Sequence, residues 1–431
     1  MDNARITLED HRAMTLPQGQ ASSHAQLVCR SCSHAGGQMI LDLGMQPLAN
    51  NFLHPEDEKA EEQKFSLKVF VCSQCWLMQL VDVVSPGKLF SDYLYFSSFS
   101  DTMLNHAKAA AERYRQEFNL DGNSFVLEAG SNDGYLLKNF KAAQVPYLGI
   151  EPASNIAQLA NKQGIETRND FFTLKLAQQL AAENRRADLI LGNNVFAHAP
   201  ATNDFVAGLR EALKPSGRIV LEFPYAADFI ENSEFDTVYY EHVYYFSLTA
   251  LLPLFARHGL EIFHVERIAI HGGSLRLFAA HQSAHLVNKS VSDLLAEEQK
   301  RGLATLEYYR DFSARSEKIK DDLVALVRKL RAAGKTVAAY GAAAKGSTLL
   351  NYCGLGPDDI SFVVDRSTFK QGRLMPGTHQ PIAAPEQLAA RRPDYALLLT
   401  WNFGEEILRQ QEAYRAAGGK FIIPIPNVRV V

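Results

Sequence analysis

The stretch from Ser124 to Pro152 constrains the fold more tightly than any other. An apolar run from Phe125 to Leu127 ends in Glu128. The turn Gly130-Ser131-Asn132-Asp133-Gly134 follows and opens a helix-like segment at Tyr135. A second apolar run, Tyr147 to Ile150, ends in Glu151 and Pro152. In a doubly wound sheet, the carboxyl ends of two neighbouring strands grip a nucleoside in this way. Glycines let the backbone approach the ligand, and the acid ending the second strand takes a ribose diol. The turn lacks the spacing G-x-G-x-x-G and is polar where a dinucleotide turn needs bare backbone, so it has no pyrophosphate to cradle. S-adenosylmethionine (SAM), with its ribose, cationic sulfur and amino-acid tail, suits it better than NAD. An ordinary strand-turn-helix connection has the same outline, so the rest of the chain must decide.

At 431 residues the chain is long for a single core, and two or three domains are expected. A net charge of −4 gives no footprint for nucleic acid or an anionic membrane. With neither a secretory signal nor a membrane-length apolar run, the expectation is a cytoplasmic enzyme. Four of the five cysteines form two C-x-x-C pairs, Cys29/Cys32 and Cys72/Cys75. Two such knuckles in a reducing compartment read as a four-thiolate zinc site, structural because no coordination position is left open. Redox dithiols are the alternative, and the doubling argues against them. The gap between the pairs can hold a small sheet, and Cys353 reads as a packing residue.

The expected organisation is α/β: a tail over residues 1–24, a zinc-binding module over 25–90, a SAM-binding domain over 91–283 and a second Rossmann-like domain over 284–431. Strands are predicted at Ser124–Glu128, Tyr147–Glu151, Ala187–Asn193, Gly217–Phe223, Glu261–Ile270 and Ser274–Ala280, the last two joined at Gly272-Gly273. A seven-stranded SAM-dependent methyltransferase sheet closes on such a hairpin. One or two long helices should fill 284–333. A second series follows at Thr336–Tyr340, Ile360–Asp365, Tyr395–Thr400 and Lys420–Ile423, with a small-residue turn, Gly341 to Thr348, after its first strand.

Further cofactor contacts are expected from Asp170 and Phe171 and from Asn193, Asn194, Val195 and His198 at later strand ends. The segment Asp236–Ser247 is densest in chemistry: Glu241 and His242 lie among Tyr239, Tyr240, Tyr244 and Tyr245. Histidine is the natural base near neutral pH, and tyrosine hydroxyls can hold a carbonyl or enolate oxygen. An aromatic helix start packed on the core is the plainer alternative.

Taken together, these residues resemble the sugar C-methyltransferases that place a branch methyl on nucleotide-linked deoxyketosugars. The resemblance rests on the cysteine pairs, Asp42-Leu43-Gly44 with Pro47-Leu48-Ala49-Asn50, Tyr93-x-Tyr95-x-Ser97-Ser98 and the Gly130–Gly134 turn. It also rests on Asn194–His198, Tyr239-x-Glu241-His242 and Gly341-Ala342-x-Ala344-Lys345-Gly346. It implies one structural zinc, bound SAM and a nucleotide-diphosphate 4-keto-6-deoxy sugar held between the last two domains. It assigns Tyr239, Glu241, His242 and Tyr95 to the reacting sugar, with His242 as base for the C-3 proton. Phe223, His271, Ser274, Arg276, Lys345, Asn351 and Asp365 are expected on the substrate, Lys345 and Arg276 meeting phosphate. An O- or N-methyltransferase, a non-methylating epimerase and a binding scaffold are the rival readings. A monomer is expected.

Overall fold

The computed structural model describes residues 27–90, 93–270 and 272–431. The expected tail and His271 lie outside the described residues. From the N-terminus, β1 (Gly37–Pro47), β2 (Lys64–Cys72) and β3 (Met78–Leu80) form an antiparallel meander between and just beyond the cysteine pairs. Next come β4 (Val126–Ala129), β5 (Tyr147–Ile150), β6 (Thr167–Arg168), β7 (Ala187–Asn193) and β8 (Leu213–Pro224), which pair in parallel. Every residue of β4 is buried, as expected of a parallel strand covered on both faces. The hairpin β10 (Leu260–Ile268) and β11 (Ser274–His281) adds antiparallel strands beside β8. The seven-stranded order is β10-β11-β8-β7-β4-β5-β6.

Between β8 and β10 the chain leaves this sheet. There β9 (Tyr244–Tyr245) pairs with β3, Met78 opposite Tyr245 and Gln79 opposite Tyr244, and becomes the fourth strand of the zinc-module sheet. Cys29, Cys72, Cys75 and Leu77 share one apolar cluster with Phe196, Phe205 and Tyr244 of the larger domain. The zinc module thus buries its apolar surface against its neighbour.

The helix Lys289–Arg301 packs on β10, and its buried Glu298 accepts the backbone N–H groups of Leu248 and Thr249 at 2.8 and 2.7 Å. This stretch therefore packs with the SAM-type domain, not with the domain that follows. The long helix Phe312–Ala332 leads to the third sheet. Its strands are β12 (Val337–Tyr340), β13 (Val363–Val364), β14 (Ile382–Ala383), β15 (Tyr395–Leu398), β16 (Lys420–Ile423) and β17 (Arg429–Val430), ordered β14-β13-β12-β15-β16-β17 with only β17 antiparallel. Leu374, in the loop before β14, exchanges backbone hydrogen bonds with Leu53 of the zinc module at 2.9 and 3.2 Å. The strand expected over Ile360–Asp365 shrinks to two residues, because only Val363 and Val364 find neighbours on both sides.

Candidate active site

The turn after β4 is shaped by backbone that most side chains resist. Gly130 and Gly134 have φ of 65° and 78°, and Asn132 adopts 49°. A Cβ on Gly130 would stand 2.5 Å from Val195, and one on Gly134 would stand 2.9 Å from Ile165. Glu151, at the end of β5, accepts the N–H groups of Asn132 at 3.0 Å and Ala153 at 2.9 Å. Burial pushes its carboxyl up to about 7 against the pull of those two donors. Glu128 is fully buried and neither of its oxygens has a hydrogen-bond partner among the described residues. The same holds for Ser131 Oγ and Asp133 Oδ1. Burial raises the Glu128 carboxyl, and repulsion from Glu151, Asp133 and Glu222 raises it further. Unsatisfied buried acceptors are costly, and a cluster of acids around a turn is relieved by a cationic, hydroxyl-bearing ligand. SAM fits that description: a ribose diol for Glu151 and positive charge for the acid cluster.

The neighbouring strand ends complete the seat. Asn169 donates to the carbonyls of Glu151 and Pro152, both at 2.9 Å, tying the end of β5 to the segment after β6. Asp170 accepts the N–H of Phe171 at 2.9 Å and leaves that ring 38% exposed at the rim. Beyond Asn193 at the end of β7, Asn194 has φ of 54° and donates its N–H to the backbone carbonyl of Glu222 at 2.8 Å, which turns Val195 onto Gly130. Gly130→Ala is therefore expected to weaken SAM at least about tenfold and to lower the melting temperature, since the methyl displaces Val195 and strains a left-handed residue. Calorimetric titration with SAM and a thermal melt of the same sample check both.

The connector 93–98 lies across this seat. Asn132 accepts from Ser97 N–H at 2.9 Å and donates to the Tyr95 carbonyl at 3.0 Å, while Asn155 donates to the Tyr93 carbonyl at 2.9 Å. Tyr93 is buried, and Tyr95 is 37% exposed. Tyr93 is thus the inner of the two; burial and then the nearby Glu241 raise its phenol. It is a site residue that the sequence reading passed over in favour of Tyr95, although both stand in the same Tyr-x-Tyr motif.

At the centre, His242 Nδ1 lies 2.9 Å from the carbonyl oxygen of Thr237, and Nε2 lies 2.8 Å from the hydroxyl of Tyr239. A carbonyl can only accept, so Nδ1 carries a proton; in the neutral ring Nε2 then holds a lone pair, to which Tyr239 donates. The ring of His198 is 5.1 Å away, and burial lowers its pKa to about 4, so it stays neutral beside His242. His198, read from sequence as a cofactor contact, thus faces His242, and its buried Nε2 has no partner among the described residues. Glu241 is 1% exposed. One of its oxygens accepts from Asn50 Nδ2 at 2.8 Å; the other is buried without a partner among the described residues, as is the hydroxyl of Tyr245. Burial raises the Glu241 carboxyl and the Asn50 amide opposes that rise. Asn50 is the second residue missed: it stands in a quoted motif, but no local pattern joins it to a carboxylate 191 positions later.

The four cysteine sulfurs lie within 4.8 Å of one another, with Cys29–Cys75 at 3.5 Å and Cys32–Cys72 at 3.6 Å. Zinc–sulfur bonds of about 2.3 Å place tetrahedral sulfurs roughly 3.8 Å apart, so the donor set fits Zn²⁺.

Several expected substrate contacts have other tasks. Arg276 is buried, its guanidinium held by Glu222 at 2.7 Å and Glu266 at 3.1 Å, so it is a core ion pair and not a phosphate ligand. Phe223 is fully buried, packed on Phe196 and Phe246, because inward positions of β8 face the apolar layer. Ser274 Oγ donates to the Ile270 carbonyl at 2.9 Å and fastens the hairpin turn. Asn351 spends its amide on the carbonyls of Ser347 and Pro376, at 2.8 and 2.9 Å. Asp365 accepts from Ala342 and Ser367 N–H groups, both at 2.7 Å, and so braces its own turn. Lys345 Nζ is buried 4.2 Å over the Trp401 ring, near Asp236 and Glu234, whose carboxyls it pulls down against the effect of burial.

A seven-stranded sheet of this order, an acid-lined glycine turn and a four-thiolate module define a SAM-dependent methyltransferase with a zinc-binding domain. Three family models match in series: a zinc binding domain over residues 29–90, a methyltransferase domain over 103–265 and a C-methyltransferase C-terminal domain over 269–426. C-methyltransferase NovU of Streptomyces niveus is 40% identical over 404 residues, covering 94% of this chain and 96% of that protein. The chain belongs to this C-methyltransferase family. Solved structures that align include the magnesium protoporphyrin IX methyltransferase of Synechocystis PCC 6803 with bound SAM, at 15% identity, 42% of this chain, 79% of that one and a TM-score of 0.33. The CcbJ methyltransferase of Streptomyces caelestis aligns at 13% identity, 41% and 90% coverage and a TM-score of 0.33. No helix among the described residues is long and apolar enough to cross a membrane.

Proposed function

We propose that the protein methylates C-3 of a nucleotide-linked 4-keto-6-deoxy sugar, with His242 as the base. The observation that carries this reading is the chain Thr237 carbonyl–His242–Tyr239 hydroxyl, which orients a neutral imidazole with its lone pair toward a phenol. The carbanion-forming step that carbon methylation needs is what such a pair performs. A ketone at C-4 acidifies the C-3 hydrogen; its bond electrons enter the enolate and its proton goes to Nε2 of His242. As Nε2 is protonated, the Tyr239 hydroxyl is released from it and can donate to the enolate oxygen. Tyr239 is suited to that task because burial raises its phenol, keeping it a neutral donor. Neutral His198 offers a second donor without repelling the imidazolium. SAM, when bound, supplies the electrophilic methyl group. Asn50, Glu241 and Tyr93 bound the far side.

A methyl acceptor on oxygen or nitrogen needs no enolate, and a dyad flanked by buried hydroxyl donors favours carbon. The sugar itself is supported by the motif resemblance and by the third, Rossmann-like sheet. Purified protein incubated with SAM and 4-keto-6-deoxy sugars on dTDP, GDP and CDP should add one methylene to one of them by mass spectrometry. Without SAM, the same sugar should take up solvent deuterium at C-3. Methyl gain on oxygen or nitrogen, with no exchange at C-3, would sink the enolate reading.

A further inference from the structure

The turn that orients His242 is held from the C-terminal domain. Within the turn Phe235–Thr237, Thr237 donates its N–H and its hydroxyl to the Glu234 carbonyl at 2.9 and 2.8 Å, and the Val238 N–H reaches the Phe235 carbonyl at 3.1 Å. Those bonds are local. The residues on either side of Thr237 are tied to the domain of the third sheet. Thr348, buried on the helix Ala344–Cys353, donates its hydroxyl to the Val238 carbonyl at 3.0 Å. Trp401, in the turn after β15, donates its Nε1–H to Asp236 Oδ2 at 2.7 Å. Tyr352 of the same helix meets the Phe235 ring, centroids 5.4 Å apart. Burial raises the Asp236 carboxyl, and Lys345 and then the Trp401 N–H pull it back toward the charged acceptor. Lys345 also lies 4.2 Å over the Trp401 ring, so one cation supports both partners of that hydrogen bond.

We infer that Thr348 and Trp401 are positioning residues that fix the His242 proton on Nδ1 from across the domain boundary. The inference rests on the reading of His242 as base and adds what holds its lone pair in place. Two hydrogen-bond partners of different kinds meet the ring. The Tyr239 hydroxyl at Nε2 can donate or accept, and so serves either tautomer. The Thr237 carbonyl at Nδ1 can only accept, and so decides between them. That carbonyl counts only while it points at Nδ1, and it shares a peptide plane with the Val238 N–H. Thr348 pins the peptide that follows and Trp401 the side chain that precedes, so the carbonyl is braced at both ends. The third domain then acts on proton abstraction through the backbone, and Lys345 keeps Asp236 an acceptor for Trp401.

The test is nitrogen NMR of the full chain, zinc loaded and isotopically labelled at histidine, with the His242 signals assigned by their absence in His242→Asn. This readout needs no sugar. In the neutral wild-type ring the protonated nitrogen should be Nδ1. Thr348→Val keeps the shape and loses the hydroxyl. It should move about a tenth or more of the proton population to Nε2 and lower kcat about tenfold, with KM for SAM and zinc content within about twofold. Trp401→Phe keeps a ring beside Lys345, loses the N–H and should act in the same direction. Thr348→Ser keeps the hydroxyl and should return both readings to wild type, which separates the hydrogen bond from packing. A wild-type tautomer in both Thr348→Val and Trp401→Phe, or a loss that Thr348→Ser fails to rescue, would overturn the clamp and leave the base assignment standing. A shifted tautomer with undiminished turnover would uphold the clamp and overturn the reading of His242 as base.

Discussion

His242→Asn is expected to lower methyl transfer about 10²–10⁴-fold while leaving SAM affinity within about twofold. The asparagine amide can still donate to the Thr237 carbonyl, so the backbone turn that the imidazole now satisfies at 2.9 Å keeps a partner. What it cannot supply is a basic lone pair where Nε2 meets the Tyr239 hydroxyl. The SAM seat is built from other elements, the ends of β4, β5 and β7, and none of its hydrogen bonds to Glu151 involves His242. The loss should therefore appear in kcat and, equally, in deuterium uptake at C-3 without SAM. Tyr239→Phe should cost less, because it removes an enolate donor and keeps the base. Turnover near normal in His242→Asn, with exchange intact, would remove His242 from the mechanism and leave Tyr239 as the group to pursue.

What was legible in the sequence was local. Gly130–Gly134 with Glu151 at the next strand end could be read as a cofactor seat because every residue lies on two adjacent strand ends, within one βαβ unit. Tyr239-x-Glu241-His242 was equally readable, since the dyad forms within one turn. The zinc set required only two knuckles of fixed spacing. What escaped was whatever depends on which distant element arrives. Asn50 reaches Glu241 from another domain, and the connector that carries buried Tyr93 is held in place by Asn155 and Asn132, which lie far along the chain. Arg276 carries the right charge for phosphate, but Glu222 and Glu266 on the flanking strands β8 and β10 had no local signature linking them to it. The strand β9 was missed for the same reason: two residues are too short for a periodic signal, and their partner strand lies in the zinc module.

That strand makes the metal matter to the chemistry. Removing zinc with a strong chelator, or replacing Cys72 by Ser, is expected to abolish methyl transfer even though no cysteine sulfur is needed for the reaction. Cys72 ends β2, Cys75 follows within the knuckle, and β3 begins at Met78, so the ion fixes the turn that aligns β2 with β3. Gln79 and Met78 of β3 pair with Tyr244 and Tyr245. Val243, the residue after His242, is held on both sides, its N–H by Ala197 and its carbonyl by Leu80 N–H, each at 2.9 Å. Loss of Leu80 and β3 frees one side of this clamp and also withdraws Asn50 from Glu241. Structural zinc contributes about 10–16 kcal/mol in small peptides, more than a module of this size can replace from its own core. The zinc-free protein should therefore show an early, low-temperature unfolding transition, no turnover and loss of C-3 deuterium exchange. Its SAM binding should weaken without vanishing, since β4 and β5 keep Glu151 and the glycine turn in register. Restored zinc should recover turnover in the chelated wild type and fail to do so in Cys72→Ser. Full turnover without zinc would mean that the apolar docking surface alone holds β3 against β9, and that the ion serves assembly and not the working enzyme.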